Sequence, residues 1–171
     1  KGKYIMFIDG DDWLPEDALE KLYTLLKTNK TDYATGLTKY VHSDRIARSG
    51  VALSKIAYNK VDLKHFRKSF YHLAPAGRMI KASVIKKNHI QFPEMIFGED
   101  LQFFAEVFFN TKRISTTQDV VYCANRYDDN ISLVKSEKST HINRMKWQGE
   151  AYRHLMSKYK NNKLMPNLLS V

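Results

Sequence analysis

The chain has few of the residues that build disulfide frameworks, flexible linkers or membrane spans. Its 171 residues include one cysteine, four prolines and seven glycines. The lone Cys123 cannot form a disulfide within the chain, which is compatible with a reducing cytosol, and its apolar surroundings predict a small buried hydrophobe. No apolar run approaches the roughly 20 residues of a transmembrane helix. With 43% hydrophobic residues and neither repeats nor low-complexity stretches, the sequence predicts one compact domain or a large piece of one.

Acidic residues are fewer than basic ones: 18 Asp and Glu stand against 28 Lys and Arg, which gives a formal net charge of +10. Such a balance favours anionic partners, such as nucleotide phosphates, polyanionic polymers or an acidic membrane surface. A solvated basic face explains it equally well. Zinc-finger spacing and RNP-like aromatic motifs are both missing, so nucleic acid is not an expected partner.

The most informative segment lies close to residue 1. The apolar run 4–8 predicts a buried strand, and Asp9, Asp11 and Asp12 follow it around a single glycine. In open α/β sheets, ligands bind beyond the carboxyl ends of the strands. Three crowded carboxylates repel one another unless a cation lies between them, and hard oxygen ligands suit Mg²⁺ or Mn²⁺ with a phosphate. The segment therefore predicts a metal–phosphate site.

Calcium-binding loops and certain phosphatases also cluster aspartates in this way. An EF-hand requires glycine at the sixth loop position, where this chain has Leu14. A haloacid-dehalogenase-type phosphatase usually has Thr or Val four residues after its first aspartate, where this chain has Trp13. A plain solvated turn stays open, since Asp and Gly are common turn residues.

A second acidic site follows later in the chain. Gly98 permits a close turn, and Glu99 and Asp100 open a predicted helix. Helix capping alone explains acids at this position. The two acidic motifs together suggest more than capping. The first could bind a metal-bound diphosphate, and a carboxylate of the second could take up a proton, which is what displacement of a phosphate leaving group requires.

Apolar periodicity and turn residues predict the remaining elements. A helix is expected from Pro15-Glu16-Asp17 onward, with a buried stripe that includes Leu19 and Tyr23, and a hairpin or loop over 42–59. Strands are predicted at 32–41, 78–82 and 120–124. Further helices are predicted at 61–73, at 83–88 with Ser83 as its cap, at 99–110 and at about 140–159.

Taken together, these motifs resemble family 2 glycosyltransferases of the GT-A fold. The resemblance begins with residues 2–14, where the pattern Gly-x-Tyr-Ile-x-Phe-x-Asp-x-Asp-Asp ends in Trp-Leu. It continues through Phe92-Pro93 and Gly98-Glu99-Asp100, and then through Tyr122, Asn125-Arg126 and Ile131-Ser132. Both acidic motifs in this order are fairly specific. The match covers residues 1–134 and leaves 135–171 as a basic helical tail.

The resemblance implies an α/β fold, namely the later portion of a GT-A (nucleotide-diphospho-sugar transferase) domain with a C-terminal helix. It implies an inverting, metal-dependent transferase that uses a nucleotide-diphosphate sugar, with UDP-sugar the first expectation. Asp100 would be the catalytic base, and Glu99 would orient it or touch the acceptor. Asp11 would hold Mn²⁺ or Mg²⁺. The expected substrate-binding residues are Asp9, Asp12, Arg126, Arg78 and His72.

One departure from the family is large. Members carry nucleotide-binding strands before the acidic motif, and none precedes it in this sequence. A parallel sheet also cannot begin with its ligand-binding strand, so the chain is expected to be part of a larger domain and to be inactive alone.

The acceptor is the least determined feature. The basic tail suits an acceptor that is a carbohydrate or polyanionic polymer of the cell wall or surface. The protein is expected to be cytoplasmic, at the inner face of the membrane, and a homo-oligomer is a further expectation. Two alternatives remain open: a haloacid-dehalogenase-type phosphatase and a noncatalytic module that binds an anionic polymer.

Overall fold

The computed structural model describes residues 2–42, 46–49, 57–63, 73–126 and 141–169, with the backbone alone for 46–49. In chain order, the elements of this described part are β1 (Tyr4–Met6), α1 (Ala18–Asn29), β2 (Tyr33–Val41), β3 (Ile46–Ser49), β4 (Val61–Asp62), β5 (Arg78–Lys81), α2 (Ala82–Lys87), α3 (Glu99–Phe109), β6 (Arg113–Asn125), α4 (His141–Tyr159) and α5 (Met165–Leu169).

The strands form one mixed sheet in the order β1-β5-β2-β6-β4, and β3 pairs with β2 as a hairpin. Strand β5 runs antiparallel to both β1 and β2, whereas β6 runs parallel to β2. The strands β1, β2 and β6 therefore point the same way, and their carboxyl ends share one edge of the sheet. The segments that follow β1 and β6 meet at that edge.

Helices cover both faces of the sheet. Tyr33 and Ala34 are adjacent in β2 and point to opposite faces, because side chains alternate along a strand. Ala34 packs in a small cluster with Leu22 and Leu26 of α1. Tyr33 belongs to the main core, which α3 dominates, since residues 102–109 of that helix are all buried. The described part of the chain is a three-layer α/β structure, and this arrangement agrees with the predicted α/β class.

The C-terminal helices contribute to the main core. Leu155 of α4 and Leu168 of α5 are almost fully buried, and Leu164 and Met165 join them against α3. The segment 141–169 is therefore packed on the same core as the rest of the described chain. None of the described helices combines the length and the apolarity needed to cross a membrane.

Several elements differ from their predicted form. The β1 strand is half-buried, because it lies at the end of the described sheet and has β5 as its one neighbour there, and Ile8 is 51% exposed. Helix α1 begins at Ala18, and Leu19 and Tyr23 of its predicted stripe are exposed.

Two predicted helix starts are also wrong. Val61 and Asp62 form a short strand against β6 instead of opening a helix, while residues 64–72 of that prediction lie outside the described part of the chain. Helix α2 begins at Ala82, so that Ser83 lies inside the helix and does not cap it.

Candidate functional site

The first acidic motif forms a tight turn directly after β1. The backbone N–H of Asp12 donates to the carbonyl oxygen of Asp9 over 3.1 Å, which closes the turn around Gly10. Asp9 and Asp11 are exposed, and Asp12 is half-buried. The turn thus presents its carboxylates at the carboxyl edge of the sheet.

Backbone and side-chain bonds attach this turn to the end of β6. Trp13 and Cys123 exchange two backbone hydrogen bonds of 3.1 and 2.8 Å. The N–H of Asn125 donates to Asp12 Oδ1 over 2.8 Å, and the N–H of Asp9 donates to the Tyr122 hydroxyl over 3.1 Å. Two segments that lie 113 residues apart in sequence therefore hold the acidic turn in one geometry.

The carboxylates of the turn repel one another. Desolvation by neighbouring atoms raises the pKa of Asp9 even though the residue is exposed overall, and the negative charges of Asp12 and Asp11 raise it further. The guanidinium of Arg126 acts in the opposite direction. This combination of repelling acids and an adjacent cation is typical of a site that binds a charged ligand.

The second acidic motif opens α3 at the same edge. Gly98 is the residue before the helix and has a φ of 86°, a left-handed conformation that favours glycine. Burial raises the pKa of Asp100 to about 6, with further contributions from the charges of Glu99 and Asp9, while Arg78 lowers it. The two acidic motifs are therefore close enough for Asp9 and Asp100 to interact.

Opposing effects act on the ionisation of Asp100. The positive end of the α3 dipole favours an ionised Asp100. Burial and two neighbouring negative charges act against that effect and raise the pKa to about 6, so the carboxyl is still mostly ionised at pH 7. A pKa close to the working pH suits a general base better than an ordinary carboxylate does.

Arg78 lies beneath the acidic groups at the first position of β5. It is only 2% exposed, and its guanidinium lies 5.2 Å from the centre of the Phe104 ring. Its positive charge lowers the pKa values of Asp100 and of the buried Tyr33, although burial still raises the latter to about 12. Arg78 is thus an internal counter-charge to the acids.

Arg126 is the exposed cation of the site. Its backbone N–H donates to the carbonyl of Val41 over 2.8 Å, and its guanidinium donates to the carbonyl of Asn125 over 2.8 Å. The guanidinium also lies 5.2 Å from the centre of the Tyr40 ring. These contacts hold a positive group beside Asp9 at the carboxyl edge.

The structure brings most of the predicted site residues together. The assembled residues are Asp9, Asp11, Asp12, Arg78, Glu99, Asp100 and Arg126. His72 lies outside the described residues, as do Ile131 and Ser132. The sequence placed Tyr122 and Asn125 within the family resemblance but did not predict that they hold the acidic turn in place. No local signal marks those two contacts, which depend on the position of β6 in the same sheet as β1.

The oxygen ligands are compatible with a divalent cation that shares a diphosphate. Among residues 2–42, 57–63, 73–126 and 141–169, no group of three His, Cys, Asp or Glu side chains is arranged to hold a metal ion unaided. Mg²⁺ commonly takes only one or two carboxylates and completes its shell with phosphate oxygens and water. A cation would also relieve the repulsion that raises the pKa of Asp9.

Comparison with known proteins identifies relatives of this chain. The model of the family described as "Glycosyl transferase family 2" matches residues 1–88. A poly(ribitol-phosphate) beta-glucosyltransferase of Bacillus spizizenii is 33% identical over 71% of this chain and 19% of its own length. The poly(ribitol-phosphate) beta-N-acetylglucosaminyltransferase TarP of Staphylococcus aureus is 31% identical over 89% of this chain and 44% of its own length.

Solved structures of S. aureus TarS share the fold. The crystal structure of TarS 1–349 matches 99% of this chain and 46% of its own with a TM-score of 0.73 and 20% identity. TarS 1–349 in complex with UDP-GlcNAc matches with a TM-score of 0.65 and 19% identity. These likenesses confirm the predicted GT-A type of α/β fold. The chain spans less than half the length of either curated relative described above.

Proposed function

The chain belongs to glycosyl transferase family 2, and on that premise we propose that it is part of an enzyme that transfers a sugar from a UDP-sugar to a hydroxyl of a cell-wall or surface polymer. Relatives named as poly(ribitol-phosphate) glycosyltransferases support the polymer acceptor. A TarS complex with UDP-GlcNAc supports the donor class. The family match also favours this reaction over that of a phosphatase.

One observation carries the proposal. The segment that follows β1 lies against the start of α3: Phe7 packs edge-on against Phe103 and Phe104, and the negative charge of Asp9 helps to raise the pKa of Asp100, 91 positions further along the sequence. An acidic turn for the donor diphosphate and a partly buried base of raised pKa therefore share one edge of the sheet. Acidic residues that only cap a helix or close a turn do not need to lie close to a second acidic motif.

The proposed reaction is a displacement at the anomeric carbon of the donor sugar. The acceptor oxygen attacks the anomeric carbon, the bond from that carbon to the diphosphate oxygen breaks, and UDP leaves with the bonding electrons. Asp100 takes the proton of the attacking hydroxyl, and Glu99 orients the base or the acceptor. Attack opposite the leaving group inverts the anomeric configuration.

Asp11 is the proposed ligand for Mn²⁺ or Mg²⁺. When bound, such a cation stabilises the negative charge that develops on the leaving diphosphate. Asp12 supports the site through its bond from the Asn125 N–H, and Asp9 lies toward the ribose or diphosphate. Arg126 offsets diphosphate charge, because a guanidinium matches phosphate geometry.

The acceptor is proposed to be a polyanion that contacts the exposed basic side of α4. The net charge of +10 and the exposed side chains of Lys146 and Arg153 support this assignment. The cytoplasmic location at the membrane face and the homo-oligomer stay predictions.

A transfer assay tests the function. The natural full-length protein is incubated with labelled UDP-glucose or UDP-GlcNAc, poly(ribitol phosphate) and Mn²⁺ or Mg²⁺. We expect labelled polymer and free UDP, with a β-linked product from the α-linked donor. Release of phosphate from a phosphomonoester without sugar transfer would favour the phosphatase, and polymer binding that survives chelation and Asp100→Asn, without turnover, would favour the noncatalytic module.

A further inference from the structure

Helix α4 is joined to α3 by an ionic cluster around one buried carboxylate, and the proposed reaction does not use this cluster. Glu106 of α3 is 3% exposed, although it is a carboxylate. Its oxygens accept hydrogen bonds from Lys158 Nζ over 2.6 Å, from the Tyr159 hydroxyl over 2.9 Å and from His154 Nε2 over 3.0 Å. All three donors come from the last turns of α4.

The cluster is a true ion pair. Burial raises the pKa of Glu106, but the hydrogen bonds from Lys158, Tyr159 and His154 together lower it below its ordinary value. Burial lowers the pKa of Lys158, but the hydrogen bond and the negative charge of Glu106, together with Tyr159, outweigh burial and raise the pKa above its ordinary value. A buried carboxylate tolerates the loss of its partner poorly, so this cluster sets how α4 docks on α3.

The same helix reaches the start of α3. A β-carbon placed on Gly98 would lie 3.6 Å from the carbonyl oxygen of Trp147 and 3.7 Å from the backbone of Gln148. The middle of α4 therefore passes over the turn directly before Glu99 and Asp100. Ala151, between the two contacts, and Leu155, directly after His154, are both fully buried.

We propose that Glu106 and Lys158 are positioning residues for Asp100. Glu106 lies six residues, or about 9 Å along the axis, from Asp100 in one helix. Their bond holds α4 against α3, and α4 in turn supports the turn at Gly98 that places Asp100 beside Asp9. Neither residue touches the reacting atoms, and this assignment rests on the proposed role of Asp100 as the base.

The experiment compares three substitutions in the natural full-length protein. Lys158→Met removes the ion pair, Lys158→Arg retains the charge, and Lys160→Met removes an exposed lysine two residues along the chain. We expect kcat to fall roughly 10- to 100-fold in Lys158→Met, because small displacements of a catalytic group are costly. The Kd of UDP-sugar should change less than about twofold. Lys158→Arg should recover most of the rate, and Lys160→Met should match the wild type.

Hydrogen exchange supplies a readout that does not need turnover. In Lys158→Met, the amides of residues 99–103 should exchange faster than in the wild type and in Lys160→Met. If the wild type transfers no sugar, the proposed function fails while exchange still tests the link between the helices. If Lys158→Met does not fold, Tyr159→Phe removes only one hydroxyl from the cluster and should lower kcat in the same direction. An unchanged kcat per folded molecule, or unchanged exchange over 99–103, overturns the proposal.

Discussion

Replacing Asp100 by asparagine should raise stability while it removes activity. Burial and the charges of Glu99 and Asp9 raise the pKa of Asp100 from 3.8 to about 6. Two pKa units correspond to about 3 kcal/mol, and because Asp100 is only partly buried, solvent screening reduces this to about 1–2 kcal/mol. This free energy is the cost of keeping the carboxylate ionised in the folded protein at pH 7.

The sign of the effect depends on pH. Because the folded-state pKa lies above the unfolded value, the cost is absent below about pH 4, grows between about pH 4 and pH 6, and is fully present above that range. The asparagine side chain of the variant carries no charge at any of these pH values. At pH 7 the variant should therefore unfold at a temperature about 2–8 °C higher than the wild type, and at pH 4 the difference should vanish.

Activity should change in the opposite direction. Loss of a general base typically costs 10²- to 10⁴-fold in rate, while binding of the UDP-sugar should be almost unchanged. In the wild type, kcat/KM should fall as the pH drops through about 6, because Asp100 becomes protonated.

The measurements are thermal unfolding at pH 7 and pH 4, sugar transfer, and donor titration by calorimetry. If Asp100 only stabilised the start of α3, the reverse pattern would be expected. Removal of its charge would then lower the unfolding temperature and leave turnover per folded molecule unchanged. That pattern would refute Asp100 as the base.

Three further outcomes test the metal ligand, the basic side of α4 and the packing of α4 on the main core. Asp11→Asn and chelation should each weaken nucleotide binding and abolish most transfer, and equal affinity with and without chelator would remove the metal from the proposal. Reversal of Lys146 and Arg153 to Glu should weaken acceptor binding at low salt and flatten its salt dependence, since exposed charges are screened over ~10 Å at 0.1 M salt; unchanged affinity would leave a solvated helix. Leu155→Ala should cost about 2–5 kcal/mol of unfolding free energy in denaturant titration, because the side chain is fully buried in the main core, whereas a loss below about 0.5 kcal/mol would show that α4 adds little to that core.

Local patterns were enough to predict the elements that carry the site. The run 4–8 followed by Asp9, Asp11 and Asp12 indicated a strand that ends in an acidic turn, and Gly98 with Glu99 indicated the start of α3. Both are confirmed, because short-range sterics and hydrophobic periodicity determine them. The order of the two motifs also identified the family.

The same patterns failed where partners from distant parts of the chain decide the outcome. Val61 has the local character of a helix start, but pairing with Ile114 makes it a strand. In the sequence, Lys158 looks like any other exposed lysine of a basic helix. In the folded chain it forms an ion pair with Glu106, because α4 packs on α3. Propensity is a weak preference that tertiary contacts override.

The sequence by itself therefore determined which chemical groups this protein carries and in which order. The tertiary structure decided which of them interact. Tyr122 and Asn125 brace the acidic turn only because β6 points the same way as β1 in one sheet, so that the segments at their carboxyl ends meet. The pKa of Asp100 likewise depends on burial and on the charge of Asp9. Both effects act through space over a few ångströms. The number of residues between two groups in the sequence does not determine whether the groups lie that close.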